Sequence, residues 1–161
     1  MMTSAERQAL IAELRALPDQ LETLVSGLTA EQLHTPFLQG EWTVAQNVHH
    51  VADSHMHAYI RTKLMLTKDH PTLTPYDQDV WATLPDMRTV PISVSITLLR
   101  ALHTRWAALF EGLSDAEYAR TGLHPDNGEV SVEGQLTTYV NHGKGHLDQI
   151  TRTLAAQPHS A

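Results

Sequence analysis

Apolar residues recur every three or four positions along four long segments of this chain, and this spacing predicts amphipathic α-helices. The first predicted helix covers roughly residues 4–26 and begins at Thr3 and Glu6, a pair with capping-box spacing. Proline lacks the N–H group that a helix interior needs, so Pro18 should kink or split this helix. The apolar stripe of the helix consists of Leu10, Leu14, Leu17, Leu21, Leu24 and Leu28.

The other three predicted helices carry the same kind of signal. Four amphipathic helices of this length predict an all-α four-helix bundle. With 161 residues, the chain is expected to form a single domain over residues 1–161. The second helix should run from the capping box Thr43–Gln46 to about Leu66, the third roughly from Ser93 to Phe110, and the fourth from near Ser131 to near Ala156.

The connections between these helices predict short accessory helices and two long crossovers. Capping-box spacing at Thr29 and at Ser114 predicts a short helix after each residue. Residues 67–90 contain three prolines and few apolar repeats, so they should form a long loop, which in compact domains is often functional. Residues 121–130 contain the turn dipeptide Asn127-Gly128 and predict a small β-hairpin.

Charge and composition exclude several function classes. A formal charge of −7 without a basic run argues against a nucleic-acid partner. The absence of cysteine excludes disulfides, cysteine–zinc sites and a thiol nucleophile from the protein itself. No segment has the length and apolarity of a membrane span or a signal core, so we expect a cytoplasmic protein without a membrane partner.

Histidine is the unusual component, with 11 residues in the chain. On the second helix, a projection at about 100° per residue places His50 on a polar stripe beside the apolar face and turns His49 toward solvent. On the fourth helix, His142 and His146 are separated by one turn on the same shoulder. The remaining histidines, His55, His57, His103 and His124, are interpreted as surface residues or as outer neighbours of a site, and His159 as part of a frayed tail.

If the two polar shoulders face each other, His50, His142 and His146 could bind one divalent metal. Three protein ligands with an open fourth position are typical of a catalytic metal site. The pattern alone leaves a structural role for each histidine equally open. Gly143 and Gly145 each weaken the fourth helix by roughly 1 kcal/mol relative to alanine, which indicates close helix packing or room for a ligand.

Several segments of the chain resemble the DinB/YfiT-like superfamily, and the match is closest to its YfiT branch of metal-dependent hydrolases and bacillithiol S-transferases. The most specific segment is Trp42-Thr43-Val44 followed by His-His-Val-Ala-Asp-Ser-His-Met at residues 49–56. The supporting segments are Leu17-Pro18, Arg61-Thr62-Lys63-Leu64, Pro75-Tyr76-Asp77, Trp81 and His142-Gly143-Lys144.

The resemblance implies a fold and a metal. It implies a four-helix bundle with up-down-down-up topology, a homodimer, and one divalent metal per subunit, with Zn²⁺ or Ni²⁺ the expected ions. Carried onto this chain, its three ligands are His50, His142 and His146. Many relatives have a second histidine directly before the last ligand, where this chain has Gly145, and this difference affects the lining of the pocket.

Three functions follow as hypotheses. In the first, which the resemblance favours, the metal binds a low-molecular-weight thiol of the bacillithiol type and the protein conjugates this thiol to an electrophile. In the second, the metal activates water and the protein hydrolyses a small molecule. In the third, the metal only stabilises a non-catalytic bundle.

Other polar residues are candidates for roles around the metal. Asp53 is a candidate general base and His57 a candidate proton shuttle. Candidate substrate-binding residues are Asn47, Arg61, Tyr76 and Lys144. Arg61 and Lys144 are the cations suited to the carboxylates of a thiol cosubstrate.

Overall fold

Four long helices dominate the computed structural model, which describes residues 2–158, so that His159 lies outside the described residues. Each long helix lies within a few residues of its predicted bounds. They are α1 (Ser4–Val25), α3 (Val44–Thr67), α6 (Ile92–Glu111) and α8 (Val132–Ala155).

Helix α1 continues through Pro18, so of the predicted kink or split, the split does not occur. Pro18 is buried on the core side of α1, where apolar packing holds the helix together. Because Pro18 has no N–H, the carbonyl of Leu14, four residues earlier, lacks its usual helical donor. This carbonyl can therefore accept a hydrogen bond from a donor outside α1.

The contacts between helices fix their directions. Arg7 near the start of α1 bonds to Glu133 near the start of α8, so these two helices run parallel. Glu111 of α6 bonds to Arg15 of α1, while Arg100, earlier in α6, bonds to Asp19, later in α1, so α1 and α6 are antiparallel. His146 bonds to Asn47 at the beginning of α3, so α8 and α3 are antiparallel as well. The topology is therefore up-down-down-up, with α1 diagonal to α3 and α6 diagonal to α8.

Short elements fill the connections. The predicted long loop at residues 67–90 contains two one-turn helices, and the first of these is capped by the side chain of Asp77. The predicted hairpin pairs Thr121 with Ser131 and His124 with Gly128 in antiparallel register. The short elements are α2 (Ala30–His34), α4 (Gln78–Trp81), α5 (Asp86–Thr89), α7 (Asp115–Tyr118), β1 (Thr121–His124) and β2 (Gly128–Ser131).

Apolar side chains form two core clusters along the bundle. One cluster is centred on Trp106 and Phe110, and the other on Leu21, Val48 and Leu99. Buried polar side chains, among them Asn47, His50 and Ser54 of α3, lie along the bundle where α3 packs against α8. In residues 2–158, no helix has the length and apolarity needed to cross a membrane.

Candidate metal centre

Three histidine side chains meet between α3 and α8. The Nε2 atom of His142 lies 3.2 Å from that of His50 and 3.2 Å from that of His146. One ligand atom from each residue can be chosen so that all three lie within 4.8 Å of one another. Because α3 and α8 are antiparallel neighbours, one residue from α3 reaches the pair that α8 presents one turn apart.

The spacing of these nitrogen atoms fits a divalent metal. A tetrahedral zinc ion with Zn–N bonds of about 2.0–2.1 Å separates two ligand nitrogens by about 3.3–3.4 Å. The two 3.2 Å separations are close to this value. Imidazole nitrogen is a donor that zinc, nickel, copper and iron all accept. The three residues therefore form a cluster that fits a metal site with one side left open.

The environment keeps the three imidazoles neutral, which is the form that binds a metal. Burial, with the neighbouring histidines adding to it, lowers the pKa of His50 and of His142 to about 3. Burial also lowers the pKa of His146 to about 4. At neutral pH each ring therefore has one nitrogen free to act as a ligand.

Asn47 orients His146. Its side-chain Nδ2 donates to the carbonyl of Thr43 at 3.0 Å, which turns Oδ1 toward His146. The Nδ1–H of His146 donates to this oxygen at 2.7 Å, so the lone pair of Nε2 faces His142. Such an outer partner fixes both the tautomer and the direction of a ligand histidine.

Behind His142 lies a line of buried histidines. His142 Nδ1 is 3.2 Å from Nε2 of His55, and His55 Nδ1 is 2.9 Å from Nε2 of His103. His103 Nδ1 is 2.6 Å from the carbonyl oxygen of Leu14. His55 and His103 are 0% and 1% exposed, so of the two predicted roles the surface position is wrong, and both residues lie as outer neighbours behind His142.

A sequence signal for these two residues existed. His55 occurs on the apolar face of α3, and His103 lies between Leu99 and Trp106 on the apolar face of α6. A histidine at such a position is buried and needs a partner. Which partner it finds depends on how α3 packs against α6.

The open side of the cluster faces a cavity of about 370 Å³. Trp42 packs against two rings of the cluster, with ring centroids 4.6 Å from His50 and 6.3 Å from His146. The rest of the wall is mostly polar and includes Glu41, Gln78, Asp79 and Gln149. A small polar substrate in this cavity could therefore reach His142 and His146, which line it.

The two candidate catalytic residues lie on the side of α3 that faces the 67–90 connection. His57 stacks on Tyr76 at 4.4 Å and contacts Trp81 at 5.0 Å between ring centroids. Burial, with Asp86 adding to it, raises the pKa of Asp53 to about 6. Tyr76 forms a hydrogen bond with Ser54, whose Oγ lies 3.5 Å from Nε2 of His142.

The two candidate cations, Arg61 and Lys144, do not line the cavity beside the cluster. Arg61 is buried and donates to the carbonyl of Thr74 and to the hydroxyl of Tyr139, whose ring contacts His142. Lys144 is exposed and pairs with Glu13 of α1 at 2.5 Å. Of the four candidate substrate-binding residues, Asn47 contacts a ligand histidine directly and Tyr76 connects to one through Ser54.

Two further histidines are more buried than the sequence indicated. His49, predicted to face solvent, is 5% exposed, and its Nδ1 lies 2.7 Å from the hydroxyl of Ser95 on α6. The reason is that α6 covers the side of α3 that a single-helix projection leaves free. His124 is 7% exposed and accepts a hydrogen bond from the backbone of Asp126 in the hairpin turn.

Comparisons with known proteins find relatives of this chain. The family model described as the DinB superfamily matches residues 13–150. A protein of Oceanobacillus iheyensis, provisionally named a metal-dependent hydrolase, is 45% identical over 141 residues, covering 88% of this chain and 81% of its own. A protein of Geobacillus kaustophilus with the same provisional name is 45% identical over 149 residues, covering 91% of this chain and 83% of its own.

Solved structures show the same bundle. YfiT from Bacillus subtilis, described as a probable metal-dependent hydrolase with an unusual four-helix bundle topology, superimposes with a TM-score of 0.92 at 40% identity. This match covers 95% of the present chain and 88% of YfiT. A mycothiol-dependent maleylpyruvate isomerase shares the fold alone, with a TM-score of 0.70 at 14% identity over 93% of this chain and 63% of its own.

Proposed function

The chain belongs to the DinB superfamily, and from this membership and its three-histidine cluster we propose that it is a metal-dependent enzyme that transfers a low-molecular-weight thiol to an electrophile. The thiol we propose is of the bacillithiol type. The observation that carries the proposal is the donor set, three neutral imidazoles with one side open to a polar cavity. His50, His142 and His146 would hold the metal. When bound, a divalent ion lowers the pKa of a thiol or water at its open position and so supplies a nucleophile.

The surroundings of the cluster favour a thiol over water. Within residues 2–158, no carboxylate forms a hydrogen bond with any of the three histidines, and their polar neighbours are Asn47, Ser54, His55 and Gln149. A hydrolase commonly needs a general base beside its nucleophile. A free thiol has a pKa of about 8.5, against about 15.7 for water, so a metal-bound thiol can release its proton to solvent and depends less on such a base.

The residues of this chain have distinct tasks in the proposed reaction. Asn47 holds His146 in the orientation that presents Nε2 to the centre. Trp42 covers the faces of His50 and His146 and excludes water from them. The polar wall with Gln78 and Gln149 would bind the polar body of the thiol cosubstrate and of the electrophile.

Hydrolysis is the second candidate function. It is favoured by the two carboxylates on the cavity wall, Glu41 and Asp79, either of which could accept a proton from water. Glu41 is also bound by Arg152 at 3.2 Å, which holds this carboxylate in place. The provisional names of the relatives agree with this alternative.

The metal assignment is tested by measuring bound metal in two neighbouring variants. His50→Ala should reduce the metal content from about one ion per chain to a small fraction of that value, because a catalytic site needs all three ligands. His49→Ala is the matched control, since His49 is also buried in α3 but bonds to Ser95. Equal metal content in both variants would remove His50 from the ligand set.

The reaction is tested with the metal-loaded protein and two substrates. Bacillithiol with a chromogenic electrophile measures transfer, and a chromogenic ester without thiol measures hydrolysis. We expect conjugation well above the uncatalysed rate, and its loss in His50→Ala. Ester hydrolysis that needs the metal, without any conjugation, would instead establish the second candidate.

A further inference from the structure

We propose that the buried line His103–His55–His142 is a tautomer relay, anchored on the carbonyl of Leu14, which fixes Nε2 of His142 as a lone-pair donor before any metal arrives. The four groups come from four different elements: α1 supplies Leu14, α6 His103, α3 His55 and α8 His142. The proposal makes these histidines positioning residues for the proposed metal site, and its central claim concerns the metal-free protein.

The relay begins at an acceptor that cannot change its role. A backbone carbonyl can only accept hydrogen bonds, so His103 Nδ1, at 2.6 Å from the Leu14 oxygen, must carry its proton. The carbonyl is available because Pro18 occupies the position whose N–H would otherwise bond to it. Proline in the middle of α1 thus leaves an acceptor for α6.

Each following ring is then forced into one tautomer. A neutral imidazole has one donor nitrogen and one acceptor nitrogen. Since His103 donates through Nδ1, its Nε2 must accept from Nδ1 of His55, at 2.9 Å. Nε2 of His55 in turn accepts from Nδ1 of His142, at 3.2 Å. The result is a protonated Nδ1 and a free lone pair on Nε2 of His142.

Burial maintains this arrangement. The side chains of His55 and His103 are almost completely inaccessible, so a charged ring in the line would have to exist away from water. His55 also packs edge-on against Trp106 and Tyr139, which blocks rotation of its ring. A flipped ring would break two hydrogen bonds without replacing them.

The line serves the site because it reaches the histidine at the centre of the cluster. His142 Nε2 lies 3.2 Å from the nitrogen atoms of both His50 and His146. His146 has its own support from Asn47, on a different turn of α3. Two of the three ligands are thus preset by separate outer partners, and a site prepared in this way binds metal more tightly than one that must first reorganise.

Nitrogen NMR of the metal-free protein tests the relay directly. In protein with ¹⁵N-labelled histidine, long-range proton–nitrogen correlations report which ring nitrogen carries the proton. We expect Nδ1 protonation at His142, His55 and His103 in the wild type. A proton on Nε2 of His142 would overturn the proposal, whether or not the protein later proves to bind metal or to catalyse any reaction.

Two variants of His103 separate positioning from packing. Leucine at this position removes the acceptor for Nδ1 of His55, so His55 should carry its proton on Nε2 instead. Nε2 of His55 would then donate to Nδ1 of His142, and His142 would carry its own proton on Nε2. We expect His103→Leu to weaken metal binding about 10- to 100-fold. Glutamine keeps one donor and one acceptor, so His103→Gln should preserve the tautomer of His142 and hold metal affinity within about threefold of the wild type.

His49→Leu is the matched control, since it removes a buried histidine of α3 that bonds outside the line. It should leave both the tautomer of His142 and the metal affinity unchanged. If His103→Gln loses as much affinity as His103→Leu, or if His103→Leu retains the wild-type tautomer, the relay is refuted. Should His103→Leu fail to fold, the wild-type tautomers and His103→Gln still decide the question.

Discussion

At the scale of single residues, the fold surrounds Asp53 with an environment that disfavours its charged carboxylate. It is half-buried on α3, and burial together with the nearby Asp86 raises its pKa from an ordinary 3.8 to about 6. The folded protein therefore binds this proton more tightly than the unfolded chain. The contribution of Asp53 to stability therefore falls as the pH rises from about 4 to about 6, and its full penalty is present at neutral pH.

Asp53→Asn removes this penalty. After allowance for the partial exposure of the carboxylate, the variant should be more stable than the wild type by about 1–2 kcal/mol at pH 8. The gain should disappear near pH 3.5, because Asp53 is then protonated in both the folded and unfolded protein. Urea unfolding of the metal-free proteins at the two pH values measures the difference.

The difference between variant and wild type cancels the contribution of every other titrating group. A gain of the same size at both pH values would mean that the carboxylate is not the cause. A variant less stable at pH 8 would show that the charged form of Asp53 has a favourable partner in the folded protein.

At the scale of elements, the contact between α1 and α8 depends on one missing side chain. A Cβ atom built on Gly143 would lie 2.4 Å from Cδ2 of Leu17, whereas a Cβ on Gly145 would meet nothing within 4 Å. The first glycine therefore permits close packing of two parallel helices, and the second does not. Close packing explains Gly143, while nothing in the described structure explains Gly145.

The two glycines form a matched pair for substitution. Gly143→Ala should destabilise the protein by about 1–3 kcal/mol, because Leu17 must leave its place in the core. Gly145→Ala should stabilise it by about 0.5–1 kcal/mol, because alanine favours the helix and finds open space. Thermal or urea unfolding of both variants provides the measurement.

A double variant identifies the contact. In a Leu17→Ala background, the cost of Gly143→Ala should be much smaller, since the clashing atoms are gone. An unchanged cost would place the strain somewhere other than the α1–α8 contact.

The elements themselves were well predicted from sequence where a local signal existed. Capping boxes at Thr3, Thr29, Thr43 and Ser114 all form in the structure, and they fix the starts of their helices. The local rule did not predict that α1 stays a single helix at Pro18, where packing of the core side of α1 outweighs the missing helical bond. Local rules also failed at residues 67–90, where one-turn helices leave no periodic pattern to detect.

The site, too, could be predicted from sequence only where its features belong to a single helix. The one-turn spacing of His142 and His146 is a property of α8 alone, so the sequence contains it. The burial of His49, and the bonds between His55 and His103, depend on the pairing of α3 with α6. No pattern within one helix specifies which other helix will cover it, and this is why the buried line behind His142 required the structure.

At the scale of the whole molecule, the bundle has a core that does not depend on a metal. Two apolar clusters extend along the helices on either side of the histidines. His142, His55 and His103 are joined to each other and to the carbonyl of Leu14 by hydrogen bonds. A bound ion would therefore add stability to a protein that is already folded.

Removal of the metal tests this expectation. Chelation should leave the helical circular dichroism signal intact and lower the unfolding temperature by about 5–10 °C, the effect of an ion present at roughly 100 times its Kd. Loss of the helical signal on chelation would instead assign the metal a structural role. That outcome would support the non-catalytic hypothesis.

The distance along the chain between the ligands has a consequence for biosynthesis. His50 and His142 touch across the bundle but are 92 residues apart in sequence. At about 5–20 residues per second, a ribosome needs roughly 5–20 seconds to pass from one to the other. A nascent chain therefore exposes one imidazole without its partners, and cannot retain an ion until α8 has been made and has docked. If the proposed metal site is correct, loading would be a late event, and the ion would be selected from the pool that the finished protein meets.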